Sequence, residues 1–161
     1  SSTSKVTSAT DRKAIIAQLK SDTEQRMAQM QSLVTKMFAK QGITIGTADD
    51  MWKALANGNF TADADTIAQA KEDISEDGYW GVNQTSDRLL DFAVALSGGD
   101  EENMKKMVSA VEKGFKEATK SWGKDLPSIS NDTYSATMKK FDQWFSDNGY
   151  STKTSDILGN N

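Results

Sequence analysis

From Asp11 to Gln41 the chain contains neither Gly nor Pro, and its large apolar residues recur at spacings of three, four and their multiples: Ile15, Ile16, Leu19, Met27, Met30, Val34, Met37 and Phe38. A helix turns once per 3.6 residues, so this spacing gathers them on one side, whereas a strand would need every second position. The Ala, Gln, Lys, Met and Arg residues between them are strong helix formers. The run predicts a single helix about 45 Å long at 1.5 Å per residue. The rest of the chain must pack along such a rod. Gly42 is its natural stop, because glycine takes the left-handed C-terminal cap without a Cβ penalty.

The remaining sequence repeats this style. Residues 42–46 (GITIG) form a short extended connector. Thr47, Asp49 and Asp50 offer caps for a brief helix carrying Met51, Trp52 and Leu55, ended by Asn57-Gly58. Phe60 anchors the next turn, and a polar helix over about 63–76 with Ile67, Ala70 and Ile74 belongs on the surface. After Asn83, read as a cap, the wide apolar arc of Leu89, Leu90, Phe92, Ala93, Val94 and Leu96 predicts the most buried helix, ended by Gly98-Gly99. Asp100 caps a second long helix whose stripe is Met104, Met107, Val108, Val111, Phe115, Ala118 and Trp122. Gly114 inside it costs about 1 kcal/mol relative to Ala, which predicts a close helix crossing there. Gly123 closes the helix, and Leu126-Pro127 forces an extended link. Asn131-Asp132 then cap a last helix bearing Tyr134, Met138, Phe141, Trp144 and Phe145, stopped by Asn148-Gly149. No segment alternates with period two. The expected architecture is all-α: a single-domain helical bundle of about five to six helices, two of them long. A Ser/Thr-rich tail precedes it over residues 1–10, the helical domain covers 11–149, and tail composition returns over 150–161.

Composition narrows the chemistry. The chain has no Cys and no His, which removes thiol nucleophiles, imidazole bases and zinc-finger or iron–sulfur ligation. Nineteen basic residues against 23 acidic give a net charge of −4. The lysines at 105, 106, 113, 116 and 120 are interleaved with Glu, as on a solvated helix face. Neither feature suits a nucleic-acid binder, which needs clustered cations. No apolar run is long enough to span a bilayer. The absence of cysteine fits the cytosol and equally fits export.

The densest local signal is residues 76–88, EDGYWGVNQTSDR. Gly78 and Gly81 bracket Tyr79 and Trp80, so the segment predicts a tight bend whose rings plug the core. Around it lie Asp73, Glu76, Asp77, Asp87 and Asp91. These are candidate oxygen ligands for Ca²⁺, although an EF-hand spacing is missing. The same carboxylates are candidates for a general acid–base pair, as in glycoside hydrolysis, which would need an aromatic-walled cleft. Arg88, one residue after Asp87 and three before Asp91, is expected to pair with them or to fix the bend beneath Trp80. The methionines at 27, 30, 37, 104 and 107 either fill the core or line an adaptable groove for a partner helix.

Together with the GGD at 98–100, Gly114-Phe115, Trp122, Leu126-Pro127 and Tyr134, Met138 and Phe141, this stretch resembles a family of uncharacterised helical proteins from clostridia and other bacteria. Some of its distant relatives carry the label "hydrogenase-4 component G". The resemblance covers roughly 11–147 and is dense over 74–145. It implies a helical fold and transfers no catalytic residue. A nickel or iron–sulfur role would need cysteines that this chain lacks.

The expected function is therefore a non-enzymatic helical interaction or structural module with no cofactor, acting through a protein partner or self-association. The alternative is an ion- or small-ligand-binding domain centred on the acidic Gly-Tyr-Trp-Gly bend. The residues that stand out, Gly78, Tyr79, Trp80, Gly81, Asp87, Arg88, Gly114, Trp122 and Pro127, read mainly as instructions for a fold.

Overall fold

The structure, a computed structural model, describes residues 9–159. Among these residues there are seven helices and no strand: α1 Ala9–Ala39, α2 Ala48–Asn57, α3 Ala64–Asp73, α4 Val82–Ser97, α5 Glu101–Trp122, α6 Ser128–Asp147 and α7 Thr154–Leu158. The fold is all-α with long helices, as the periodicity requires. Of the tail expected over residues 1–10, positions 1–8 lie outside the described residues, and 9 and 10 already belong to α1.

Most helix ends follow their local chemistry. The side chains of Thr47, Asp63 and Asp100 accept hydrogen bonds from the amides of Asp50, Thr66 and Asn103, each three residues on. Gly58, Gly98 and Gly123 close α2, α4 and α5 in the left-handed conformation, each donating its amide back to the last turn. Two caps differ from expectation. The N-cap of α4 is Gly81, without a side-chain bond, so Asn83 lies inside the helix. The N-cap of α6 is Pro127, so Asn131 also lies one turn inside, donating to the Leu126 carbonyl at 3.4 Å. Pro127 fixes an extended φ and needs no amide partner. The helix can therefore start at once.

The core forms where α4, α5 and α6 meet. Leu90, Ala93 and Val94 pack with Met104 and Val108 and with Met138, Phe141, Trp144 and Phe145. Outside this cluster, Met37 and Phe38 at the end of α1 and Met51 and Ala56 of α2 are also buried, with Phe60 edge-on to Phe38 at 5.2 Å. In α3 no residue is buried, in keeping with its polar composition. Residues 150–159 of the expected C-terminal tail are part of this body, while 160 and 161 lie outside the described residues: Tyr150 stacks near Trp144 at 6.0 Å, and Ile157 and Leu158 lie against the core. The Asp142 carboxylate accepts from the Thr154 amide at 2.8 Å and its hydroxyl at 3.1 Å, and Thr152 donates to Glu101 at 2.5 Å. These long-range bonds stand in for the apolar periodicity that the segment lacks.

α1 lies against α4 in the opposite direction. Near its start, Arg12 donates to the carbonyls of Ala95 at 2.9 Å and Leu96 at 3.3 Å, satisfying free acceptors at the end of α4. At the other end of α4, Arg26 lies over the ring of Tyr79, in the bend that precedes the helix, at 4.6 Å. Between these ties most α1 side chains remain partly exposed, and only Met37 and Phe38 are buried.

A candidate docking groove beside a self-contained bend

The 73–81 bend is closed by its own backbone. Trp80 donates its amide to the Asp73 carbonyl at 2.8 Å, Gly78 to Ser75 at 2.9 Å and Gly81 to Gly78 at 3.0 Å. A Cβ on Gly78 would sit 2.2 Å from the Glu72 carbonyl oxygen, and one on Gly81 would sit 2.2 Å from that of Ser75. Both positions require glycine for lack of space. Arg88 reaches back from α4, donating to the Tyr79 carbonyl at 2.6 Å and to the Thr85 hydroxyl at 3.2 Å. Its guanidinium stacks on the Tyr79 ring at 3.6 Å and lies 5.5 Å from that of Trp80. Tyr79 and Trp80 meet edge to face at 4.9 Å. Both rings are half-buried against the bend, where the sequence predicted core plugs.

This geometry disposes the acidic residues differently from a cation site. Among the described residues no group of three or more Asp or Glu side chains comes together to hold a metal ion. Asp73 accepts from Gln69 at 2.9 Å, Asp87 is hydrogen-bonded to Lys140 across to α6, and Glu76 and Asp77 face solvent. Bend carbonyls that could have completed a calcium shell are occupied by Trp80, Ser75 and Arg88. Asp87 makes its salt bridge to Lys140 and acts on Arg88 only as a neighbouring charge. Burial lowers the pKa of Arg88, with the neighbouring Arg26 adding to the effect.

The groove that the methionines offered as an alternative to core packing lies beside Trp80. An apolar groove of about 730 Å³ runs between α1, α4 and α5. Met27 and Met30 of α1, Trp52 of α2 and Trp80 of the bend form walls, with Leu89, Phe92 and Leu96 of α4 and Met107, Val111, Gly114, Phe115 and Ala118 of α5. Tyr134 of α6 also lines the groove, its ring tilted on Phe115 at 4.5 Å. Burial and the nearby Glu112 hold its phenol above the ordinary tyrosine range.

The groove splits the apolar stripe of α5. Only Met104 and Val108 are buried, and the stripe's later part opens into the groove. The methionines divide likewise: 37, 51, 104 and 138 are buried, while 27, 30 and 107 line the groove. Leu89 and Leu96 are 36% and 46% exposed there, and Ile74 at the rim is 50% exposed. Gly114 is not a helix crossing: a Cβ there would meet nothing within 4 Å. Trp122 and Pro127 lie beyond this floor, at the end of α5 and the start of α6. A second crevice of about 590 Å³, between α5 and the C-terminal segment, is lined by charged and hydroxyl groups, and its Lys105 already pairs with Glu102 at 2.8 Å.

Arrangement and composition together define a class: an all-helical protein with an open apolar groove between α1, α4 and α5. Compared with known protein families, with curated proteins and with solved structures, the chain matches none. Among the described residues no helix is long and apolar enough to cross a membrane.

Proposed function

We propose that the chain is a non-catalytic helical interaction module whose working surface is the groove between α1, α4 and α5. One observation carries this reading. The exposed apolar side chains of α4 and α5 are collected in one trough, and the three most accessible methionines named above lie along it. Contiguous exposed apolar surface is uncommon on a self-sufficient domain and marks contact sites, and methionine suits surfaces that adapt to a partner. The trough has the form that receives an amphipathic helix, with anchors at i, i+3, i+4 and i+7 on both sides. Lack of His and Cys and the dispersal of the carboxylates support a binding role over a catalytic one.

The test is placement of a photo-crosslinker. Ala110 and Ala118 are exposed on α5, whereas Lys139 is exposed on α6 outside the groove lining. Adducts to a defined protein are expected from 110 and 118, lost when Gly114→Leu fills the trough, and absent from 139. Equal labelling from all three positions would overturn the assignment.

A small apolar ligand is the second reading, favoured by the groove's volume, which falls within the range of small-molecule sites. It shifts the ligand-binding alternative from the acidic edge of the bend to the opposite face of Trp80. A fatty acid or anilinonaphthalene sulfonate should then raise the melting temperature at micromolar concentration, and no shift at saturation would remove it.

A further inference from the structure

We infer that Asn57 is a site of spontaneous deamidation in the folded protein, converting to isoaspartate and aspartate at the end of α2, while the fold protects Asn148 from the same reaction. The inference is independent of the groove. It rests on two copies of one reactive dipeptide that the fold holds differently.

The chain has two Asn-Gly pairs, 57–58 and 148–149. Asparagine followed by glycine is the reactive arrangement, because the glycine nitrogen approaches the side-chain amide with no Cβ in the way. The Gly58 nitrogen, giving up its proton to solvent, attacks Cγ of Asn57. A C–N bond forms, the bond from Cγ to the side-chain nitrogen breaks, and that nitrogen takes up a proton and departs as ammonia. Water then opens the cyclic imide. Addition at Cγ gives aspartate, and addition at the main-chain carbonyl carbon gives isoaspartate. One water enters, one ammonia leaves and nothing is oxidised.

The two pairs are matched in their surroundings. Each sits at the end of a helix, α2 or α6, each asparagine is exposed, and the glycines are left-handed at φ 74° and 81°. They differ in what restrains them. The Asn148 side-chain amide donates to the Trp144 carbonyl at 2.8 Å, and the Gly149 amide donates to the Ser146 carbonyl at 3.0 Å. The next amide, that of Tyr150, donates to Phe145 at 2.8 Å, and its ring stacks near Trp144 at 6.0 Å. Both reacting groups are thus occupied, and the chain just beyond them is tied to the core. Cyclisation at 148 requires these bonds to open together.

At the first pair the Asn57 side chain makes no hydrogen bond among the described residues. The Gly58 amide has a 3.2 Å bond to Leu55, and a Cβ on Gly58 would meet nothing within 4 Å. Asn59 is exposed as well, and the chain is next held at Phe60, against Phe38, and at Thr61, whose amide donates to Gln41 at 2.7 Å. Helix ends fray, so bringing Cγ of Asn57 to the Gly58 nitrogen breaks one terminal bond in an open space. Isoaspartate carries an extra methylene in the main chain. Either product also adds negative charge at the C-terminal end of α2, whose last turn has no basic residue. Conversion therefore loosens the helix that carries Trp52.

The experiment ages the full chain in warm, mildly alkaline buffer, with a parallel sample in concentrated urea. Peptide mass spectrometry follows conversion at each asparagine, and methyl transfer by an isoaspartate-specific methyltransferase identifies the isomer. In the native sample Asn57 is expected to convert about tenfold or more faster than Asn148, since closing several hydrogen bonds reduces the reactive population at 148 by such a factor. In urea, where those bonds are gone, the two rates should converge. Asn57→Gln should remove most of the methyl acceptor formed in the native sample.

Equal rates in the native chain, or faster conversion at Asn148, would overturn the inference, as would no conversion at 57. A gap that persists in urea overturns it too, because the flanking residues and not the fold would then set the difference.

Discussion

Replacing Gly114 with alanine separates a groove that is open from one that the chain itself fills. Glycine in the interior of a helix is about 1 kcal/mol less favourable than alanine, partly because the unfolded chain gives up more freedom to form it. The new methyl meets no atom within 4 Å, so no clash offsets the gain. The position is exposed, so burial adds nothing further. The net expectation is a stabilisation of about 1 kcal/mol, or a melting temperature about 2–4 °C higher for a chain of this size. Gly78→Ala is the matched control. Its methyl would lie 2.2 Å from the Glu72 carbonyl and 2.4 Å from that of Asp73, so the bend must deform, with a loss on the order of 2 kcal/mol or more. Urea denaturation followed by far-ultraviolet circular dichroism measures both. A destabilised Gly114→Ala would refute the reasoning, because it would mean that the space over α5 is occupied in solution.

Other perturbations address the bend and the termini. Tyr79→Phe keeps the ring under both arginines and removes a hydroxyl that is buried without a hydrogen-bond partner, so calorimetry should show stability raised by about 1 kcal/mol. Arg88→Met loses the stacking on Tyr79 and the bond to its carbonyl, and is expected to lower stability by about 1–2 kcal/mol, read as a lower urea midpoint. Asp142→Ala releases Thr154, so hydrogen exchange at residues 154–158 should accelerate well ahead of that in α6. The Thr66 hydrogen bonds hold the Asp63 carboxyl below its ordinary value. That cap is therefore fully present above about pH 4 and is lost as pH falls through the lower folded value, and the Thr66 amide shift in an NMR titration should follow it.

Glycine stops and side-chain caps were the most legible part of the sequence, because their chemistry is local. Gly58, Gly98, Gly123, Thr47 and Asp100 act as their types demand. Asn83 and Asn131 misled because asparagine also tolerates the first turn of a helix when glycine or proline opens it. Residues 150–159 lacked periodicity, and their order comes from Asp142 and Glu101, which are distant in sequence. Periodicity told that α5 has an apolar face, but it carries no information on whether another element covers that face. The groove therefore stayed one of two readings of the methionines, and Gly114 was assigned a neighbour that the described residues do not provide. The five acidic candidates all fall between residues 73 and 91, yet no three of them come together, and Asp73 and Asp87 bond to Gln69 and to Lys140 of α6.

The uneven anchoring of α1 has a consequence for cooperativity. Its start is held by one arginine, its middle touches Tyr79 through another, and only its last turn is buried. Such a helix can come away from α4 while the α4–α6 core stays folded, which makes it a separate unit of opening under mild denaturant. Met27 and Met30 would leave with it, so the trough would dissolve before the core does. Anything bound there would slow the exchange of α1 amides far from its own contacts, and α1 would report occupancy along its whole length.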